Sequence, residues 1–402
     1  MAFDGITVSA LVAEIDDNLK GGRINKIAQP ENDELLITGK GANGQKRLLL
    51  SASASLPLIY FIDKNRISPL TAPNFCMLLR KHIGSARILD VKQPGMERVV
   101  EFELEHLNEL GDPCRKRLIM ELMGKHSNII FCDEKGMILD SIKHVSSHMS
   151  SVREVLPGRE YFIPNTRDKE NPLTVSKEEF TQHICKKPVN ISRALYTSLT
   201  GMSPVMAEEI CYRASIDGSD AAQSLDEAAC THLYHTFLRL MEQIRNREFT
   251  PNIVYRGEEP VEYGVFPYQQ FGSEYRSETF DSVSVMLETY YATKSLLTRI
   301  HQKSSDLRRV VQTALERNRK KYNIQKKQLN DTSKKDKFKF YGELINTYGY
   351  GLEEGCRSFK ALNYYTNEEI TIPLDPTLTP AQNSKKYFDR YSKLKRTQEA
   401  LE

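Results

Sequence analysis

The chain has 402 residues, 40% of them apolar, with 56 Lys/Arg against 53 Asp/Glu and a formal charge of +3. That length predicts two or three domains, and the polar average fits globular cores joined to long solvated helices. The start, Met1-Ala2-Phe3-Asp4-Gly5, has neither the basic nor the apolar region of a signal peptide, and no apolar run approaches the ~20 residues of a membrane span. The seven cysteines (76, 114, 132, 185, 211, 230 and 356) are scattered and form no C-x-x-C pair. They read as reduced thiols in a cytoplasmic protein, with no zinc site and no cofactor.

Ile6 to Leu19 is predicted as a helix, with Leu11, Val12, Ile15 and Leu19 on one face and Gly21-Gly22 ending it. Arg23 to Ala28, Glu34 to Thr38 and Lys46 to Ser51 read as strands. Between the last two, Gly39-Lys40-Gly41-Ala42-Asn43-Gly44 matches the G-x-G-x-x-G spacing of a dinucleotide fingerprint. That fingerprint has to open a helix, whereas this stretch opens a strand through Asn43-Gly44, so a hairpin turn is expected. Pro57 to Ile62 continues the strand pattern. Asn74 to Ile83 is a short helix ending on Arg80-Lys81-His82, a basic triplet that complements a helix C-terminus.

The stretch from Pro94 to Ile130 organises the first part of the chain. Glu97 and Arg98 stand at the mouth of a strand, just after the Pro94-Gly95 turn. In the next strand, alternation sends Leu118, Met120 and Leu122 to one face and Ile119, Glu121 and Met123 to the other. A glutamate between Ile and Met must reach solvent, find a partner or belong to a binding face, because burying it unpaired is costly. The turn from Gly124 to Asn128 aims Lys125, His126, Ser127 and Asn128 the same way. After a further hairpin comes a Ser-rich loop with Lys143, His144, His148 and Arg153. The two histidines are four apart, but the surround is a poor helix and no third ligand is placed, so no metal is expected. Lys125, His126, Lys143 and Arg153 are candidate phosphate contacts.

The first domain is expected to span 1–174 and a second 175–281. Ser176-Lys177-Glu178-Glu179 is a capping-box start. Ile191 to Leu199 and Pro204 to Ala214 are two helices joined by Thr200-Gly201-Met202-Ser203, the outline of a helix-hairpin-helix or of any two-helix corner. Leu225 to Asn246 is a further helix, and a short hairpin lies between Asn252 and Pro267. In 282–402, a long helix from Val283 to about Leu329 carries Met286, Tyr290, Thr293, Leu297, Ile300, Ser304, Leu307, Val311 and Ala314 in coiled-coil spacing. From Lys294 to Lys339 there are 15 Lys/Arg against 4 Asp/Glu, a density that suits a phosphate backbone. A hairpin from Phe359 to Pro373 and a last helix from Ser384 complete an antiparallel pair with a small α/β knob. The fold class is α+β.

These residues resemble the NFACT family across essentially the whole chain. The likeness rests on Ala2-Phe3-Asp4-Gly5, Leu78-Leu79-Arg80-Lys81-His82, Glu97-Arg98, the run from Glu121 to Ile129, Val155-Leu156-Pro157-Gly158, and Asn383-Ser384-Lys385-Lys386-Tyr387-Phe388 with Tyr391 and Lys393. The resemblance implies a glycosylase-like N-terminal α/β domain, a helix-hairpin-helix domain, and a long antiparallel coiled coil with a middle knob. On this resemblance the family's C-terminal domain is expected to be missing from these 402 residues. It also implies ribosome-associated quality control: binding a large ribosomal subunit obstructed by peptidyl-tRNA, and recruiting tRNA, alanyl-tRNA in bacteria, for template-free C-terminal tailing. A small S4-domain RNA-binding protein is a further implied partner.

On this resemblance Asp4, Glu97 and Arg98 contact tRNA, with Glu97 standing where the family has Asp. Glu121, Leu122 and Met123 match the run tied to large-subunit binding. No catalytic residue is implied, since peptide-bond formation belongs to ribosomal RNA. Two rival readings remain. One is a nucleic-acid enzyme of the glycosylase type, against which Ala2 and Phe3 replace the expected Pro-Glu. The other is a surface adhesin binding fibronectin.

Overall fold

The computed structural model describes residues 3–164, 168–353 and 355–401, without the side chains of 294–303, 305 and 306. The chain forms two compact units, Met1–Leu297 and Thr298–Glu402.

In the first unit, α1 (Gly5–Leu19) precedes β1 (Arg23–Ala28), β2 (Glu34–Gly41), β3 (Gly44–Ser51) and β4 (Leu58–Ile62). Then come α2 (Asn74–Ile83), β5 (Arg87–Lys92), β6 (Val99–Leu107), β7 (Pro113–Glu121), β8 (Asn128–Asp133) and β9 (Ile138–Ser141). The nine strands form one sheet in the order β4-β3-β2-β1-β5-β6-β7-β8-β9. Its halves join where Arg23 of β1 meets Arg87 of β5. The glycine-rich stretch is the β2–β3 hairpin, with Gly41 opposite Gly44 and Gly44 at φ +88°.

Strand alternation gives this sheet two apolar faces. Leu118, Met120 and Leu122 enter the main core with Ile6, Leu11 and Ile15 of α1 and Leu79 and Ile83 of α2. Ile119 points the other way, into a small second core with Val99, Ile130, Cys132, Ile138 and Val155, against which Met123 and Tyr161 pack. The chain after β9 covers this second face.

The main core continues past residue 174 without a break, through α3 (Lys177–Phe180), α4 (Ile191–Ser198), α5 (Pro204–Arg213) and α6 (Glu227–Arg245). Ser176 and Glu179 form the capping box at α3. β10 (Asn252–Arg256), β11 (Glu259–Gly264) and β12 (Tyr275–Thr279) make a three-stranded sheet. β12 has no counterpart in the sequence reading, because its residues are mostly exposed and show no apolar alternation. Cys185 and Cys230 form a disulfide, with 6.3 Å between their Cα atoms, which corrects the expectation of seven free thiols. The 45 residues separating them form no motif, so the pairing arises from packing of the turn after α3 on α6.

Helix α7 (Val283–Thr332) begins in this unit, where Val283, Met286, Leu287 and Tyr290 are buried. Farther along the predicted seam, the side chains of Leu297 and Ile300 are among those not described, and Leu307 and Val311 are 66% and 65% exposed. The second unit continues with α8 (Lys335–Tyr348), β13 (Ser358–Leu362), β14 (Glu369–Pro373) and α9 (Pro380–Leu401). The long helix therefore stops at Thr332 and restarts as α8. α9 runs antiparallel to α8, with Ser384 Oγ donating to the Gly342 carbonyl at 2.9 Å and Lys335 Nζ donating to Gln398 Oε1 at 2.6 Å. β13 and β14 form the knob, over a core of Leu344, Ile345, Phe359 and Ile372. Among the described residues no helix is long and apolar enough to cross a membrane.

Candidate nucleic-acid interface

The end of β6 and the end of β7 lie side by side. Val99 pairs with Glu121, and one step beyond the ladder the Leu122 amide donates to the Arg98 carbonyl at 2.8 Å. Two stretches singled out in the sequence, Glu97-Arg98 and Glu121-Leu122-Met123, therefore meet at one sheet corner. Arg98 is exposed, and its guanidinium has no hydrogen bond among the described residues. Glu97 is half-buried. Burial raises its carboxyl above the ordinary value, while the nearby Arg98 and Lys169 cations pull it back.

The turn bearing this pair is packed against two helix starts. Asp4 caps α1, its Oδ1 accepting from the Thr7 amide at 2.8 Å. Its Oδ2 accepts from Ser203 Oγ at 2.6 Å, and Ser203 in turn caps α5. The Gly5 amide donates to the Gly201 carbonyl at 2.9 Å. A Cβ on either Gly5 or Gly201 would come within 2.1 Å of the Met96 carbonyl. Three chain segments thus touch backbone to backbone, which only glycine permits. The glycine turn between α4 and α5 is thus packed, through Gly201, against Gly5 and Met96.

Asp4 is accordingly 6% exposed. Burial raises its carboxyl above 3.8, against the opposing pull of Ser203, Thr7 and Arg98. Asp4, expected to touch tRNA, has both its oxygens engaged within the protein.

Glu121 is fully buried. Arg153 Nη2 donates to its Oε2 at 2.5 Å, and the Tyr161 hydroxyl donates to its Oε1 at 3.0 Å. Arg153 Nη1 also donates to the Phe162 carbonyl at 2.5 Å, and its guanidinium lies 5.5 Å from the Tyr161 ring centroid. Burial raises the Glu121 carboxyl and Arg153 opposes it; burial beside that carboxylate also raises the Tyr161 hydroxyl. Of the three options for this glutamate, the structure takes the internal partner. Glu121 and Leu122, expected at the large subunit, are buried at 0% and 1% exposure, and Arg153, expected at a phosphate, is engaged by the Glu121 carboxylate. Lys143 is likewise engaged, donating to the Ala52 carbonyl. Lys125 and His126 are exposed on the turn after β7, which closes where Ser127 Oγ accepts from the Met123 amide at 2.8 Å. His144 Nε2 lies 2.7 Å from Asp140 Oδ1, and no cluster of three metal-ligating side chains occurs among the described residues.

Sequence reasoning missed Gln93, Lys169 and Ser203 as members of this corner. None carries a local signal, since each is placed by contacts far along the chain.

Residues 4–402 match the family described as NFACT N-terminal and middle domains. The chain belongs to the NFACT family. It is 33% identical over 407 aligned positions to the Rqc2 homolog RqcH of Bacillus subtilis, covering 100% of this chain and 69% of that protein. It is 23% identical over 364 positions to the mouse ribosome quality control complex subunit NEMF, across 85% of this chain and 33% of that one. Among solved structures, the N-terminal part of the fibronectin/fibrinogen-binding protein of Streptococcus suis is similar at a TM-score of 0.61 and 28% identity, covering 72% of this chain and 99% of that one. The fibrinogen binding protein of Staphylococcus aureus is similar at a TM-score of 0.61 and 27% identity. In this NFACT chain, Arg98, Lys125 and His126 are the candidate site residues left exposed, and Glu97 is half-exposed beside Arg98.

Proposed function

We propose that this protein is a ribosome quality control factor. It binds a large ribosomal subunit obstructed by peptidyl-tRNA and recruits tRNA, alanyl-tRNA in the bacterial case, for template-free C-terminal tailing of the stalled chain. A small S4-domain RNA-binding protein is a further partner, and the cytoplasm is the site of action. Peptide-bond formation is left to ribosomal RNA, and the chain itself is not an enzyme.

The observation that carries this reading is the exposed Arg98 guanidinium, without a hydrogen bond among the described residues, at a sheet corner in a chain related along its whole length to RqcH. An arginine so placed holds a phosphate in two parallel hydrogen bonds or stacks on a base, and the neighbouring Glu97 carboxylate orients it. Lys125 and His126, beside this corner, add phosphate contacts. The α4–α5 pair is a helix-hairpin-helix whose turn serves internal packing. α7 is a coiled-coil arm whose Lys and Arg run binds rRNA through phosphates, without reading bases.

The test is co-purification of tRNA with ribosome-bound protein. Arg98→Ala should keep the fold and the subunit association and lose tRNA and tailing. Glu97→Asp should preserve both. Normal tRNA recovery with Arg98→Ala overturns the role of the pair. The names of the S. suis and S. aureus structures favour a second reading, a fibrinogen- or fibronectin-binding surface protein. Saturable fibronectin binding by the purified chain, without ribosome association in cells, would establish that reading instead.

A further inference from the structure

Gln93 follows β5 and precedes the Pro94-Gly95 turn, half-buried. Its side-chain amide donates one hydrogen to the Gly5 carbonyl and the other to the Glu97 carbonyl, each at 2.8 Å. Both partners are acceptors, so the NH2 end of the side chain must face them, and both of its hydrogens are used. Gly5 is the first residue of α1, so this one amide ties the turn to the helix that α5 also abuts. The carbonyls of Glu97 and Arg98 are thus held by different donors: Glu97 by Gln93, and Arg98 by the Leu122 amide. The rest of the turn has no slack. The Glu97 amide donates to the Pro94 carbonyl at 3.0 Å, Gly95 sits at φ +56°, and the Met96 carbonyl is wedged between Gly5 and Gly201.

We propose that Gln93 is a positioning residue that fixes the direction in which Glu97 and Arg98 leave the sheet, and that tRNA recruitment depends on its two donated hydrogen bonds. The proposal rests on the reading that this pair meets tRNA. Gln93 itself touches no RNA. A guanidinium on a loose turn would still carry its charge, but it would lose the fixed geometry that a bidentate contact requires.

Two variants of the full chain separate hydrogen bonding from packing. Gln93→Ala removes both donors. Gln93→Glu keeps the size but sets an acceptor-only carboxylate against two carbonyl oxygens. Amide hydrogen exchange across residues 94–98 and tRNA recovery with subunit-bound protein are measured on each. The expected result is faster exchange at the Glu97 amide in both variants, and more so in Gln93→Glu. tRNA recovery should fall about tenfold, the loss expected from roughly one hydrogen bond of positioning, with subunit association unchanged.

Unchanged exchange in both variants overturns the proposal. So does a Gln93→Glu variant milder than Gln93→Ala, which would make Gln93 a space filler, and so does normal tRNA recovery from a loosened turn. Arg98→Ala is run alongside. If that variant also recovers tRNA normally, the reading of the pair has failed, and the exchange data alone then judge whether Gln93 holds the turn.

Discussion

Arg153 and Glu121 meet at 2.5 Å with the carboxylate wholly shut off from solvent. The pair joins β7 to the loop that covers the second face of the sheet, 32 residues away. The pair thereby fixes that loop to the end of β7, next to the turn bearing Lys125 and His126.

Removing one member of such a pair leaves the other charge buried and unpaired. Glu121→Ala is expected to cost about 3–5 kcal/mol in a urea unfolding titration. Replacing both partners by apolar residues, Glu121→Leu with Arg153→Met, should recover most of that loss. If Glu121→Ala unfolds at the wild-type midpoint, the pair contributes nothing to the fold.

The contact of Gly5, Gly201 and Met96 makes a second prediction. Gly201 is at φ +71° with the Met96 carbonyl 2.1 Å from where a Cβ would sit, whereas Gly44, at φ +88°, faces open space. Gly44→Ala is expected to cost about 1–2 kcal/mol of backbone strain alone. Gly201→Ala adds a clash with backbone and should cost about 2–4 kcal/mol. Equal losses in the two variants would show that the close approach is not tight.

Asp4 sets a pH dependence. Its folded value is raised above 3.8 by burial, so the protonated form is favoured in the folded chain. The stability it contributes is fully present below the ordinary value of 3.8 and is lost as pH rises through the folded pKa. Asp4→Asn stays neutral throughout and escapes that loss. The stability difference between Asp4→Asn and wild type should therefore shift in favour of Asn as pH rises from about 4 toward neutrality. Urea midpoints measured across that range check it, and a pH-independent difference would refute it.

Most of the local structure was legible in the sequence. Alternation in β7 assigned Leu118, Met120 and Leu122 to one face and Ile119 and Met123 to the other, and both sets pack as assigned. Asn43-Gly44 marked its hairpin, and Ser176 with Glu179 marked the start of α3. These signals lie within a few residues of what they specify, because turns, caps and side-chain periods are set by near neighbours. Tertiary structure decided which polar groups end up paired. Asp4 bonds Ser203 across 199 residues, Glu121 finds Arg153 across 32, and Cys185 finds Cys230 across 45. The sequence could state that a buried Glu121 needs a partner, but it could not name one. That choice depends on which distant segments the two apolar faces of the sheet bring together. The same packing buried Asp4 and Glu121 and left Arg98 exposed at the corner between them.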